Sequence, residues 1–424
     1  MAIAMNVIRV GLCLLFAGSV LAFGAVEVWS ESLLEIGAAV LFLFWAMLAS
    51  RKQDAKIQWS PLNWPLLGLI GIGLLQLLFQ ATAYPFLTRT ELLKLVAYFL
   101  IFFLTAQVFR TRSELSRLVW FVILLCFTVS LFGIIQHFTS SNEIYWTQHF
   151  KTESAPFGPY INRNHFAGFV ELTLPIGLAM LAFQGVDKDL FPLMSLLTIV
   201  PIGALFLSGS RGGIIGFAFE LGILALLLRI GRSLGMKSTR IMALGVVALI
   251  SLALIAWVGA GMAIERFSNL NSHDVSLDRR VSMSRGAAHI FLDHPIKGCG
   301  LGTLVAVYPR YETAYDGRLV DHVHNDYIET LAETGLLGAL CGLSFLWVLY
   351  REARKSFATE QRAFSRALHA GAIAAVGGLL LHSFVDFNLQ IPANALLFLL
   401  LVYLATSPPW ALSYKVPKVT LSAT

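Results

Sequence analysis

The sequence is poor in charged side chains. Only 13% of its 424 residues are Asp, Glu, Lys or Arg, whereas an ordinary soluble domain carries about 25%. The chain is also 57% apolar, which is enough for roughly twelve helices of about 20 residues each. This composition excludes a water-soluble globule and a disordered chain, and it predicts a protein that crosses a membrane many times.

Cysteines are equally few, and the four of them show no paired spacing. Disulfide frameworks and structural zinc sites need closely spaced ligands. We therefore expect neither of these features. We also expect no metal and no cofactor, because no ligand cluster with an established spacing is present. The four positions are Cys13, Cys126, Cys299 and Cys341.

Long apolar runs are spread along the whole chain. Because lipid-exposed backbone must satisfy its own hydrogen bonds, runs of this length without alternating polarity indicate helices rather than barrel strands. They predict an all-α polytopic protein, with one membrane domain over residues 1–424 and about twelve transmembrane helices. The expected spans are 7–24, 31–50, 62–79, 91–109, 117–136, 165–184, 191–208, 212–230, 240–262, 329–350, 366–385 and 392–406.

The positions of the basic residues agree with this number of spans. With both termini in the cytoplasm, most of the 31 Lys and Arg residues fall on the cytoplasmic side, as the positive-inside rule requires. The net charge of +6 is then explained by the membrane topology of the chain. We expect membrane lipids, and no nucleic acid, among the partners of the chain.

Two predicted outer loops are much longer than the others. Residues 137–164 are polar and aromatic, and residues 263–328 between the ninth and tenth spans are rich in charged, His, Tyr and Asn residues. Long ordered loops are usually functional. We therefore expect the chemistry of the protein to lie on its outer side.

A glycine-rich motif, Ser-Gly-Ser-Arg-Gly-Gly at 208–213, occupies the short outer turn between the seventh and eighth spans. Glycines allow a ligand to approach the backbone, and the first turn of the next helix offers free N–H groups to an anion. Arg211 adds a planar cation that can hold phosphate oxygens in pairs. The alternative is an arginine that only extends to the membrane interface.

The large outer loop offers further cations. Arg279, Arg280 and Arg285 precede Asp-His-Pro and a glycine-rich stretch that ends at residue 302. This pattern predicts a short amphipathic helix followed by a glycine-rich turn. We expect one of these arginines to bind the same anion as Arg211, although a solvated basic surface would have the same composition.

A histidine-rich segment, Asp-His-Val-His-Asn at 321–325, leads into the tenth span. Near neutral pH a histidine can take a proton from a nucleophile while a carboxylate orients its ring. His324 is the candidate base, and His322 and Asn325 are candidate substrate-binding residues. Glu329 is a candidate for orienting a histidine ring. A metal site and a capping role for the histidines are the alternatives.

Two more polar groups deserve comparison with this segment. Asn164 and His165 stand in a polar cluster just before the sixth span, and they are candidate substrate ligands. Within the spans, ionisable residues such as Glu171 and Glu220 are few. A transporter would place such charge near the middle of the membrane, so transport stays the alternative to catalysis.

Three motifs in this order resemble the O-antigen ligase and O-antigen polymerase superfamily of bacterial inner-membrane glycan transferases. They are the turn at 208–213, the arginine and Asp-His-Pro-x-x-Gly-x-Gly pattern within 280–302, and His324-Asn325, nine residues, Gly335-Leu336-Leu337-Gly338. The large outer loop between the ninth and tenth of twelve spans resembles the ligase arrangement too. The resemblance implies a fold like that of the GT-C type glycosyltransferases, in the inner membrane, with a periplasmic active site.

The resemblance also implies a substrate pair. The donor would be a glycan on undecaprenyl diphosphate, and the acceptor would be lipid A-core for a ligase or a lipid-linked glycan for a polymerase. Arg211 and Arg280 would bind the diphosphate, and His324 would be the base. Because Ser284 and Arg285 stand where relatives often have tryptophan, Arg279 and Arg285 stay candidates for the same role.

Overall fold

The computed structural model describes residues 2–51, 56–140, 143–149, 155–233, 277–313, 317 and 319–407. Over these ranges the chain is helical and has no strand beyond two isolated β-bridges, which confirms the predicted all-α fold. The helices are α1 (Ala2–Leu21), α2 (Val28–Ser50), α3 (Asn63–Leu78), α4 (Pro85–Val108), α5 (Arg112–Thr139), α6 (Arg163–Ala182), α7 (Phe191–Ser208), α8 (Arg211–Ser233), α9 (Leu277–Asp293), α10 (Leu304–Val307), α11 (Asp326–Thr359), α12 (Ala363–His382) and α13 (Pro392–Thr406).

The described helices agree with the predicted membrane spans. Nine of them in the described ranges are long and apolar enough to cross a membrane, and α3 and α13 are apolar but shorter. Each of these coincides with a predicted span, so the chain is a multi-pass membrane protein. The predicted span 240–262 and residues 263–276 of the large loop lie outside the described residues, and the count of twelve stays a prediction.

Helix α6 is the centre of the bundle. All of its residues are buried, and it packs against α7, α8, α12 and α13. Small residues let helices in a membrane approach closely, and α12 is rich in Ala and Gly. At Gly371 of α12, an added Cβ would lie only 2.8 Å from the Cα of Ile176 in α6. This close contact fixes the relative positions of the polar side chains that both helices carry.

Loops that were predicted on one side of the membrane meet at one end of the bundle. The Gln76 side chain at the end of α3 donates to the Lys297 carbonyl at 2.7 Å, and Tyr160 before α6 donates to Asn394 in α13 at 2.9 Å. We call this end, where α6, α8 and α11 begin, the site end. At the opposite end, which we call the far end, Arg9 pairs with Glu114.

The large loop is fixed to α11 by its glycines. Helix α11 is interrupted at Gly335, which has φ 61° and ψ −156°, and the turn at 295–300 fills the interruption. The Gly300 N–H donates to the Glu333 carbonyl at 3.1 Å. An added Cβ at Gly298 would lie 2.1 Å from the carbonyl carbon of Glu333, so only glycine fits there. The motif glycines thus position the segment that precedes α11.

Candidate active site

His324 lies two residues before the start of α11 and has a left-handed conformation, with φ 53°. A residue other than glycine rarely adopts this conformation unless its surroundings enforce it. Here Asn325 caps α11 by accepting the N–H groups of Tyr327 and Ile328, both at 3.1 Å. Its amide nitrogen donates to the Phe384 carbonyl at 3.0 Å. Asn325, predicted as a substrate ligand, therefore uses both ends of its amide to hold the chain around His324.

The orienting partner of His324 is Asp386, in the turn between α12 and α13. His324 Nδ1 lies 3.2 Å from Asp386 Oδ1, and Asp386 is buried. Burial alone would raise the pKa of Asp386, but the His324 hydrogen bond and the charge of Arg280 hold it well below its usual range. Because an ionised carboxylate only accepts hydrogen bonds, His324 Nδ1 carries a proton, and in the neutral form of the ring Nε2 is then the acceptor.

Three histidines surround the ring of Phe387. The ring centroids of His165, His322 and His324 lie 4.6, 4.5 and 4.8 Å from it. His165 Nε2 also lies 3.8 Å from Asp386 Oδ1. The structure thus brings together three histidines that the sequence predicted as site residues, although His165 is far from the other two in the chain.

His322 has a carboxylate partner of its own. Its Nδ1 lies 2.6 Å from Glu329 Oε1, and Glu329 Oε2 accepts the Val323 N–H at 3.0 Å. Burial would lower the pKa of His322, but Glu329 outweighs it and raises the pKa to about 9. Glu329 therefore orients His322 rather than His324. A cationic imidazole is a poor base, so His322 is better suited to binding an anion or a sugar oxygen.

The three candidate arginines of α9 occupy different environments. Arg280 Nη1 donates to the Val385 carbonyl at 2.7 Å, which places its guanidinium on the turn that carries Asp386. Its Nε is buried and has no hydrogen-bond partner among the described residues. Arg279 lies near Tyr308, and Arg285 is exposed. Arg280 is thus the arginine that the structure connects to the histidine cluster.

The predicted glycine-rich turn forms the link between α7 and α8. Gly209 ends α7 in the left-handed conformation, with φ 66°, which a residue with a Cβ rarely adopts. The Ser210 hydroxyl accepts the Gly213 N–H at 3.2 Å. As a result Arg211 is the first residue of α8, at the helix end that favours anions.

The start of α8 and His324 contact the same turn. An added Cβ at Gly212 would lie 2.3 Å from His382 Nε2, so α8 packs directly on the last residue of α12. The His382 carbonyl accepts the Asp386 N–H at 3.1 Å, and Asp386 holds His324. The two main motifs of the sequence, around 211 and 324, therefore meet through residues 382–386.

The first turn of α6 supplies the remaining candidates. Asn162 caps α6 by accepting the Asn164 N–H at 2.8 Å, and Asn394 donates to the His165 carbonyl at 2.9 Å. Asn164 and His165 are both buried. His165 faces the cluster around Phe387, with Asn164 next to it in the chain.

Sequence reasoning missed Asp386 and Phe387. Both lie in the short turn between α12 and α13, at the edge of a predicted span. The available signal was an acidic residue in a short outer connection between two apolar spans. Among the described residues, no three His, Cys, Asp or Glu side chains are grouped as metal ligands, and the metal-free reaction stays a prediction.

Comparisons with known proteins bear on the region that carries most of this site. A family model described as O-Antigen ligase matches residues 196–343. The Teichuronic acid biosynthesis protein TuaE of Bacillus subtilis (strain 168) is 25% identical over 250 residues, 55% of this chain and 49% of the relative. The alignment thus spans about half of that relative. Residues 196–343 are therefore similar to the O-antigen ligase family.

Proposed function

We propose that the chain is a metal-independent inverting glycosyltransferase. It moves a glycan from an undecaprenyl-diphosphate donor to a sugar hydroxyl of an acceptor. The observation that carries this proposal is the pairing of His324 with the buried Asp386 beside Arg280. The O-antigen ligase match over residues 196–343 supports the same reaction class.

His324 is the general base of this reaction. Asp386 fixes the tautomer with the proton on Nδ1, so Nε2 can accept the proton of an acceptor hydroxyl. The hydroxyl oxygen then attacks the anomeric carbon of the donor. A base held in this way accelerates such a reaction by about 10²- to 10⁴-fold.

Arg211 and Arg280 stabilise the departing diphosphate. The acceptor attacks from the face opposite the diphosphate, so the configuration at the anomeric carbon inverts. Negative charge develops on the diphosphate oxygens as the bond between the sugar and the diphosphate breaks, and two guanidinium groups are suited to stabilise it. The position of Arg211 at the start of α8 adds the favourable field of the helix.

A ligase with lipid A-core as the acceptor is the first candidate, because the motif spacing and the loop arrangement resemble the ligases. A polymerase that extends lipid-linked repeats is the second. The observation that favours the polymerase is the relative TuaE, which is described as a teichuronic acid biosynthesis protein. Both candidates use the same donor and the same site.

Purified protein in lipid nanodiscs tests the reaction. With a lipid-linked repeat unit as donor and lipid A-core as acceptor, a ligase forms a lipid A-core product that carries the glycan. A ladder of longer lipid-linked products without lipid A-core would assign the polymerase instead. Activity that persists in chelator supports the metal-free reaction, and loss of activity that added metal restores would contradict it.

Transport is the competing function, and the buried Glu171 and Glu220 within the spans favour it. A transporter should carry a lipid-linked substrate across the membrane of proteoliposomes even when it contains the His324→Ala substitution, and it should form no glycosidic bond. Formation of that bond by the wild-type chain, with loss of the product in His324→Ala, would decide for the enzyme.

The proposed topology places both termini in the cytoplasm and the site end in the periplasm, across a bacterial inner membrane. It is supported by the basic residues at the far end, such as Arg9, Arg110 and Arg112, and by the meeting of the predicted outer loops at the site end. Labelling of single cysteines in intact cells tests it. A cysteine at Leu319 should react with an impermeant reagent, whereas one at Arg351 should not, and the reverse pattern would invert the topology.

A further inference from the structure

Three buried ionisable side chains beneath the site have no part in the reaction described so far. They are His382, Glu171 and Glu220, with exposed fractions of 2%, 0% and 0%. His382 Nδ1 lies 2.6 Å from Glu171 Oε2. Among the described residues, Glu171 Oε1 and both Glu220 oxygens have no hydrogen-bond partner. Such groups are costly inside a membrane and usually mark function.

The three side chains follow one face of α8. An added Cβ at Gly212 would lie 2.3 Å from His382 Nε2, and one at Gly216 would lie 1.7 Å from Glu171 Oε1. Glu220 follows one turn later. Positions 212, 216 and 220 share one side of a helix and span about 12 Å along its axis. The row therefore runs from the start of α8 into the membrane.

Glycines make the space for each member of the row. Besides Gly212 and Gly216, Gly378 of α12 is in contact with Glu220, whose Oε1 would lie 2.2 Å from an added Cβ. A side chain at any of these three positions would displace an ionisable group. The packing of α8 against α6 and α12 is thus shaped around these groups, which a chance burial of charge would not require.

The orientation of His382 directs one nitrogen toward the proposed diphosphate site. Its Nδ1 faces Glu171, and its Nε2 faces the backbone at Gly212, one residue after Arg211. His382 is also the last residue of α12, where the helix dipole favours a positive charge. An imidazole held by a carboxylate at one nitrogen can donate a proton from the other.

On the basis of the proposed function, we propose that His382 is a second catalytic residue, the acid that protonates the departing diphosphate, and that Glu171 is its positioning partner. The bond between the anomeric carbon and the diphosphate oxygen breaks, and its electron pair goes to that oxygen. The oxygen takes the proton from His382 Nε2, while His324 Nε2 takes the proton of the acceptor hydroxyl. His324 then releases one proton to water and His382 regains one, so the reaction is balanced.

Charged groups on several elements act on His382, namely Glu171 on α6, Arg280 on α9 and Asp386 in the following turn. Arg211 and Glu220 lie on α8, the helix that packs against His382 at Gly212. Two histidines that act in opposite protonation states give a bell-shaped dependence of rate on pH. His324 must be neutral, so it sets the acidic limb, and His382 must be protonated, so it sets the basic limb.

The test is the pH profile of kcat at saturating donor for the wild type, His382→Gln, Glu171→Gln and a matched control. The control is His369→Gln, because His369 is also a buried histidine of α12 but contacts the Leu404 carbonyl at the far end, at 3.0 Å. We expect His382→Gln to lower kcat about 10²-fold and to remove the basic limb. The KM for donor should change little, and the profile of His369→Gln should keep its shape.

Each outcome decides a different question. A folded His382→Gln that keeps the basic limb, or that loses activity through KM alone, would overturn this proposal and leave the proposed function standing. If His382→Gln does not fold, Glu171→Gln decides, since an unchanged basic limb in that variant would overturn the assignment. A wild-type chain that transfers nothing would overturn both proposals.

Discussion

The two ends of the bundle differ in how completely their buried ionisable side chains are paired. At the far end, Arg9 pairs with Glu114 and donates to the Val108 carbonyl at 2.7 Å. Arg366 donates to the Glu360 carbonyl at 3.0 Å. At the site end and in the membrane half below it, four buried carboxyl groups have an oxygen without a hydrogen-bond partner among the described residues. They are Glu171, Glu220, Asp326 and Asp386.

This difference separates stability from function. Charged side chains at the far end pair with each other or bind backbone carbonyl groups. Their removal should therefore lower the free energy of unfolding and leave the reaction intact. The four carboxyl groups named above keep an atom without a partner at an energetic cost, which proteins tolerate where a ligand or a proton must be received. Substitution of the two that act in the proposed reaction, Glu171 and Asp386, should lower activity and leave the bundle folded.

The largest expected effect comes from the two motif residues at the site end. His324→Ala removes the base and Arg211→Ala removes a diphosphate ligand, and each should lower the transfer rate about 10²-fold or more. Product formation is measured for variants that elute as the wild type does in gel filtration. Near-normal transfer by both variants would remove the site assignment and the contrast between the two ends.

A smaller effect should distinguish the two histidine–carboxylate pairs. Asp386→Asn keeps the size of the side chain but offers an N–H to His324 and favours the wrong tautomer, so we expect a loss of about 10²-fold. Glu329→Gln disturbs His322, which is not the base, and should reduce the rate less than about tenfold. Equal losses in both variants would contradict the assignment of Asp386 as the partner of the base.

Much of the fold could be predicted because lipid imposes a simple rule. Apolar runs mark helices, and the predicted spans therefore coincide with α1 to α8 and α11 to α13. The turn at Gly209 and Ser210 could also be predicted, since both residues act on backbone groups within a few positions in the chain. The role of Asp386 could not be predicted, because its contact with His324 joins residues 62 positions apart and depends on how α11 and α12 pack.

The roles of neighbouring polar residues were equally hidden. Glu329 and Glu333 lie one turn apart on α11, yet Glu329 binds His322 whereas Glu333 accepts the Gly302 and Leu304 N–H groups, both at 2.9 Å. The segment before α11 is not helical, and the left-handed conformation of His324 gives alternate residues different partners. No periodicity rule predicts such a conformation for a histidine.

The stability of the protein should depend on pH through the His322–Glu329 pair at the site end. Glu329 raises the pKa of His322 to about 9, against the effect of burial, while the unfolded value is about 6.5. The pair therefore stabilises the fold fully below about pH 6.5, and this contribution is lost as pH rises through 9. The melting temperature should fall over this range.

Glu329→Gln should flatten this dependence, because it removes the charge that raises the pKa of His322. The matched control is Glu143→Gln, since Glu143 pairs with His149 at 2.7 Å but the His149 side chain is 71% exposed. Exposed pairs contribute little, so the control should leave the slope unchanged. A wild-type melting temperature that does not fall between pH 7 and 10 would contradict the assignment of a cationic His322.

The smallest effect on the reaction should come from the far end. Arg9 and Glu114 are mostly buried, and Glu114 also accepts the Thr111 N–H at 2.8 Å as part of a helix cap. Arg9→Gln should lower the free energy of unfolding by about 1–3 kcal/mol, as expected for a hydrogen bond to a charged group. The transfer rate per folded molecule should stay within about twofold of the wild type, because no site residue touches this pair. Thermal unfolding and the transfer assay on the same sample measure both quantities. A large loss of rate with unchanged stability would show that the far end takes part in the reaction, and the division of labour between the two ends would be wrong.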